Sequence, residues 1–375
     1  MSVVENLEQD YTLSLKEGWS RRVETPPREQ PGQLTCAEID GLGPTERLRY
    51  EEARSVWHAN IGPILTPQMQ AVLAELDDIV ETNRQDGDKV KGAAVLTAYP
   101  GLGKTTLAVA YGAEFHRRQA ELYGSTTPAG DQRIPVAYIG LTSNTTMRSL
   151  NSMLCRFYGH PGADRGNATQ LGNRAADCVL SCLTKLVIVD DVHFLDMNRR
   201  DGREVANHFK WLSNQFPVTF LFVGVGLRER GLLTEGLTAS DSAMAQTARR
   251  WTTLSLAPFE IQTDEGRRTW RRLLLAIERD LVLADKRPGM LADDLADYLY
   301  ARTTGHFASL MILIARGCRR AIRSGTERLT AEVLDGVRND EAAEQARREL
   351  QAAFEHGRLS ARPRPRRRSG AEPAA

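Results

Sequence analysis

The chain lacks the signals that would direct it to or through a membrane. Its opening stretch, MSVVENLEQDYTLSLKEGW, mixes acids with scattered apolar residues and shows no basic, then apolar, then small-residue order, so no secretory signal is read there. No apolar run approaches the roughly 18 residues needed to span a bilayer. Cysteine is sparse. Cys36, Cys155, Cys178, Cys182 and Cys318 form no CxxC pair, and an odd number without an export signal reads as reduced thiols in a cytoplasmic protein. No internal repeat is visible, and neither a zinc finger, an RRM nor an obvious recognition helix occurs, so any contact to DNA is expected to go mainly to phosphates.

Excess charge of one sign is also missing: the net charge is +1 over 375 residues. That balance conceals RLSARPRPRRR, Arg358 to Arg368, which holds arginines and no acid. Its Pro–Arg alternation prevents helix, and two readings stand: a solvated disordered tail, or an anchor for nucleic acid or another acidic surface. With 41% hydrophobic and 26% charged residues the chain is globular, and its length calls for one large domain with a smaller companion.

Residues 1–45 are polar and contain ETPPREQPGQ, which reads as an extended arm with little core of its own. Helical spacing starts with PTERLRYEEARSVWHAN and continues through TPQMQAVLAELDDIVETNRQ, where Met69, Val72, Leu73, Leu76 and Ile79 recur on one face. Five short apolar runs follow, separated by helical patterns: GAAVLTA, IPVAYIGL, KLVIVDD, PVTFLFVGVG and WTTLSLAPF. Near-continuous apolar strands are covered on both faces, which predicts an α/β fold, a three-layer αβα domain around a five-stranded parallel sheet over residues 46–261. After Phe259 only helical patterns remain, giving a helical domain over 262–340 and a C-terminal helix with a basic tail over 341–375.

The first strand runs into TAYPGLGKTTLAVAYG. Against G-x-x-x-x-G-K-[ST] it supplies Gly101, Gly103, Lys104 and Thr105, and departs only at the opening position, Ala98. Such a loop works because successive backbone N–H groups form an anion-sized nest at a helix N-terminus. Gly101 and Gly103 can adopt the positive φ values this curvature needs, and a small residue is tolerable where the turn closes. ATP is therefore expected along Ala98, Tyr99, Pro100, Gly101, Leu102, Gly103, Lys104, Thr105 and Thr106, with Lys104 reaching the β and γ phosphates and Thr105 holding Mg²⁺. The segment KLVIVDDVHFLD supplies a second metal group, Asp190. Asp191 is placed either to polarise the attacking water or to cap the turn that follows, and His193 reads as a packing or hydrogen-bonding residue.

Together these segments resemble the AAA+ branch of P-loop ATPases and, within it, the TniB family of ATP-binding transposition proteins. The resemblance covers roughly residues 50–340 and is carried by YPGLGKTT, LTSNTTMRSLNSMLCRFYGHPG, VIVDDVHFL, FPVTFLFVGVGL, MAQTARRW and TTGHFASLMILIARGCRRAI. It implies that the helical domain is a lid, that Arg249 or Arg250 reaches a neighbouring subunit's nucleotide, and that His58 lies in a segment contacting the base. Two positions depart from the family pattern. Val225 stands where a polar sensor is expected, and Ala308 where many lids carry an arginine. What the resemblance implies is an ATP-dependent, DNA-binding regulator of transposition that self-associates into an oligomer or filament and engages a transposase or integrase. VIVDDVHFL is also similar to the corresponding segment of DnaA-like initiators, so a helicase loader or initiator is an alternative, and a small-molecule kinase using the same loop is a more distant one.

Overall fold

The computed structural model describes residues 11–85, 91–143, 145–194, 205, 208–209, 212, 218–227, 251–347, 356 and 359–361. The chain divides into two compact units, Met1–Pro27 with Gln68–Ala257 and Arg28–Pro67 with Pro258–Ala375. The described helices are α1 (Lys16–Glu24), α2 (Cys36–Asp40), α3 (Pro44–Ala59), α4 (Pro67–Thr82), α5 (Lys104–Tyr123), α6 (Met147–Phe157), α7 (Ala168–Ser181), α8 (Asp264–Asp280), α9 (Ala296–Thr303), α10 (Phe307–Ser324) and α11 (Ala331–Asp335).

The first unit is built on β1 (Ala93–Ala98), β2 (Val136–Gly140), β3 (Leu186–Asp190), β4 (Thr219–Gly224) and β5 (Trp251–Leu256). All pairings are parallel and the order is β2-β3-β4-β1-β5. Every apolar run singled out in the sequence is one of these strands. The central strands β3 and β4 are buried throughout, as helices on both faces require, whereas the edge strand β5 leaves Thr252 and Ser255 exposed. After β1 the chain crosses to the far edge of the sheet, returns through β3 and β4, and places β5 on the other side of β1. Strand order reverses at β1, so its C-terminal end is the crevice where such sheets bind ligands.

Among the described residues of the expected arm, 16–24 and 36–40 are helical instead of extended. α1 carries Trp19, which is 0% exposed. Its indole N–H donates to His116 Nδ1 of α5 at 3.0 Å, and its ring stacks on Tyr138 of β2 with centroids 6.2 Å apart. Gly112 makes room for it, since a Cβ there would lie 3.0 Å from the Trp19 ring and 2.6 Å from Ile188 Cδ1. Burying one indole in this way is worth several kcal/mol and anchors the nine-residue helix to α5 and β2, with Gly18 and Val23 buried beside it.

The second unit is helical and draws on both ends of the sequence. Residues 28–67, including α2 and α3, belong to it rather than to the sheet, so the boundary expected at residue 46 does not separate the units. Its core joins Trp270, Leu274, Ile277, Leu299, Leu310 and Leu313. A short π-helical turn, Met290–Asp294, stands where a regular helix was expected. Buried Glu278 explains it: one carboxylate oxygen accepts from Gly289 N–H and the other from Leu291 N–H, both at 2.7 Å. Arg54 and Glu327 form a buried bidentate pair at 2.6 and 3.1 Å, and Glu327 also accepts from Ala284 N–H. Arg302 donates to the carbonyls of Leu334 and Val337, to Tyr298 Oη and to Glu344.

Candidate functional site

The loop leaving β1 has the backbone that its glycines anticipate. Gly101 and Gly103 adopt φ of 73° and 82°, in the left-handed region, and Gly103 is the N-cap of α5. Ala98 is the last residue of β1 and pairs with Leu256, so the position where the usual pattern has glycine is extended backbone that alanine adopts without strain. Leu102 is buried, while Tyr99, Pro100, Gly101, Thr105 and Thr106 are exposed at the loop's surface. The nest and the first turn of α5 are therefore open to solvent, with N–H groups and helix dipole both favouring an anion there.

Lys104 is 9% exposed, and its ammonium donates to the Tyr99 carbonyl at 2.8 Å. Burial lowers its pKa, and the negative charges of Asp190 and Asp191 partly offset this. Lys104 thus sits within electrostatic reach of both carboxylates, although they come from β3 and it comes from α5.

Asp190 ends β3 and is 3% exposed. One of its oxygens accepts from Tyr138 Oη at 2.9 Å and the other from Asp191 N–H at 2.8 Å. Tyr138 is thereby held as a neutral phenol: burial and the neighbouring carboxylate both push its pKa up. The register partner of Asp190 is Gly140, and no atom of the described residues lies within 4 Å of where a Gly140 Cβ would be. Asp190 and Thr105 offer the hard oxygen donors that suit Mg²⁺, an ion that keeps several waters instead of demanding a protein cage. Among the described residues no group of three His, Cys, Asp or Glu side chains forms such a cage.

Asp191 takes φ of 58°, uncommon for a residue with a side chain and usually associated with function or strain. Its carboxylate is half-exposed, with burial and then Asp190 raising its pKa, against the opposing pull of His193 and Lys104. The turn Val192–Phe194 is closed by the Asp191 carbonyl, which accepts from Phe194 N–H at 3.0 Å. His193 Nδ1 lies 3.8 Å from the Asp191 carboxylate and has no hydrogen-bond partner among the described residues. Gly224, at the end of β4, brings that strand against this turn: a Cβ there would sit 3.0 Å from His193 N.

Other sequence-designated positions lie elsewhere. Val225 follows β4, half-buried and without a polar atom in its side chain. His58 is buried in the second unit, where Nε2 accepts from Val282 N–H at 3.0 Å, so it is committed to structure and not free to meet a base. Arg249 and Arg250 fall outside the described residues. Tyr138 is the residue that sequence reasoning passes over, because it lies inside an apolar run. The available signal is its spacing: two residues before Gly140 it shares that glycine's face of the sheet, the face on which Asp190 lies.

Sheet order and loop together are those of the AAA+ fold of P-loop proteins. In agreement, residues 87–233 match the family model described as AAA domain. No curated protein matches the chain. Among solved structures, the Orc1 protein of Aeropyrum pernix in complex with DNA is similar at 15% identity and a TM-score of 0.56, over 79% of this chain and 69% of that one. Cdc6p of Pyrobaculum aerophilum is similar at 16% identity and a TM-score of 0.48, over 82% and 84%. Domain III of DnaA from Thermotoga maritima is similar at 15% identity and a TM-score of 0.43, over 74% and 92%. At these identities the likeness is one of fold.

Proposed function

We propose that the chain is an ATPase that binds DNA in a nucleotide-dependent way and regulates transposition, assembling on target DNA and engaging a transposase or integrase. The observation that carries the ATPase reading is the convergence of Lys104, Asp190 and Asp191 beside a loop whose two glycines hold the left-handed backbone of a phosphate nest. Lys104 would exchange the Tyr99 carbonyl for phosphate oxygens, and Thr105 with Asp190 would hold Mg²⁺, which supplies charge neutralisation at the phosphates. Asp191 would be the base that orients the attacking water, and its raised pKa makes it a better proton acceptor. Arg249 or Arg250 is proposed to complete a neighbour's site, so that assembly and hydrolysis depend on each other.

Nucleotide can gate assembly only through contacts that differ between ATP and ADP, and the γ-phosphate is the group that differs. The fold shared with a DNA-complexed Orc1 protein supports DNA as the partner. Transposition in particular rests on the resemblance of the loop, β3 and α10 segments to TniB proteins. The test is DNA retention with ATP, with ADP and without nucleotide: retention should be strongest with ATP, and equal retention in all three rejects gated assembly. Asp191→Asn should keep ATP binding while phosphate release falls by about 100-fold or more. Capture of a replicative helicase instead of a transposase would move the chain to the initiator or loader reading.

A further inference from the structure

We infer that the arginine row of α10 is a docking surface for the phosphodiester backbone of duplex DNA, an assignment that rests on the DNA-binding reading above. The helix divides its faces by period. Leu310, Leu313, Gly317 and Ala321 are buried, whereas Arg316, Arg319, Arg320 and Arg323 follow at i, i+3, i+4 and i+7 on the exposed face. Gly317 lets α11 approach closely, since a Cβ there would lie 2.5 Å from Leu334 Cδ2. That approach carries Gly336, Val337 and Arg338 alongside the row. Arg316 donates to the Arg338 carbonyl at 2.8 Å and Arg320 to the Gly336 carbonyl at 3.2 Å, so the main chain orients both guanidinium groups. Gly336 again leaves the necessary room, because a Cβ would sit 2.4 Å from the Arg320 guanidinium carbon.

The result is an open cleft of about 510 Å³ lined by five arginines with Ser324, Gly336 and Val337. Elsewhere in the same unit arginines are paired: Arg271 with Asp293, Arg328 with Asp285, Arg347 with Asp335. Among the described residues no carboxylate pairs with any of the five in the cleft. Clustered guanidinium groups without counter-charge repel one another, and an anion of repeating charge removes that penalty. The row is about 10 Å long at 1.5 Å per residue, which matches the rise of about three phosphates along one DNA strand. A free nucleotide is a poorer occupant because no aromatic side chain among the described residues lines the cleft to stack a base. A lipid surface fits less well still, since none of the large exposed apolar residues lines it.

The experiment is a salt series of duplex affinity with the full chain in ATP and magnesium, read by anisotropy of a labelled mixed-sequence duplex. Arg319→Gln with Arg323→Gln removes two arginines that make no described protein contact. The slope of log K against log salt should fall by nearly 2, at about 0.9 per phosphate contact, and by the same amount on every sequence tried. Arg319→Lys with Arg323→Lys should keep most of the slope, and ATP titration should be unchanged in both variants. If the wild type binds duplex and the glutamine pair binds it with the same affinity and slope, the cleft assignment is overturned while DNA remains the partner. If the wild type binds no duplex in any nucleotide state, the DNA reading fails and the cleft assignment falls with it. Binding of polyglutamate that is lost in the glutamine pair, without duplex binding, would assign the cleft to an acidic protein surface and likewise overturn the proposal.

Discussion

The two units treat buried charge in opposite ways. In the helical unit the buried ions are committed to other protein groups: Arg54 and Glu327 meet fork to fork, and Arg302 donates to two carbonyls, a phenol and a carboxylate. In the sheet unit, Lys104 holds a single carbonyl, Asp190 adjoins Gly140, where no described atom would meet a side chain, and Asp191 stands half-exposed in left-handed backbone. Buried ions that bond one another and the main chain fix structure. Ions with unfilled bonding capacity at a sheet's switch point are where chemistry is expected.

That contrast can be broken by substitution. Arg54→Met strands Glu327 and should lower unfolding stability by about 3–5 kcal/mol, with much of the loss recovered in Arg54→Met/Glu327→Leu; denaturant melts decide. Acid should act on both units through buried neutral histidines. His58 and His116 have pKa values lowered to about 4 by burial, and each accepts a hydrogen bond. The stability they confer is complete above their ordinary value near 6.5 and is lost as pH falls from there towards about 4, up to about 3 kcal/mol each. His58→Gln should reduce the slope of stability against pH in that window. Lys104→Ala should cost ATP affinity about 100-fold, or about 2.7 kcal/mol by calorimetry, while the nucleotide-free melt shifts by less than about 1 kcal/mol. A large change in the melt would make Lys104 structural after all. The smallest effect belongs to Tyr138→Phe, which frees Asp190 of one donor; magnesium-dependent ATP affinity should weaken by about 1 kcal/mol with the fold intact.

Local signals carried most of this unit. The apolar runs marked all five strands because a strand buried on both faces must be apolar along its whole length. The glycine spacing marked the loop because positive φ is written into single residues. Ala98, read from the sequence as tolerable where the turn closes, is the last residue of β1, where extended backbone suffices. What sequence could not reveal depends on pairing across long separations. Trp19 is ordered by His116 and Tyr138, Arg54 by Glu327, and His58 by Val282; nothing near each residue names its partner. The same holds for Tyr138, whose hydroxyl matters only through the register of β2 on β3.

The path of the chain has one further consequence. It passes between the units at Pro27–Arg28, Pro67–Gln68 and Ala257–Pro258, and a proline stands at every passage. Trimming from one terminus can therefore never release either body whole: any cut deep enough to remove one also tears a segment from the other. A proteolytic map should yield fragments that stay together until denatured, and stiff, donor-free residues mark the three joints.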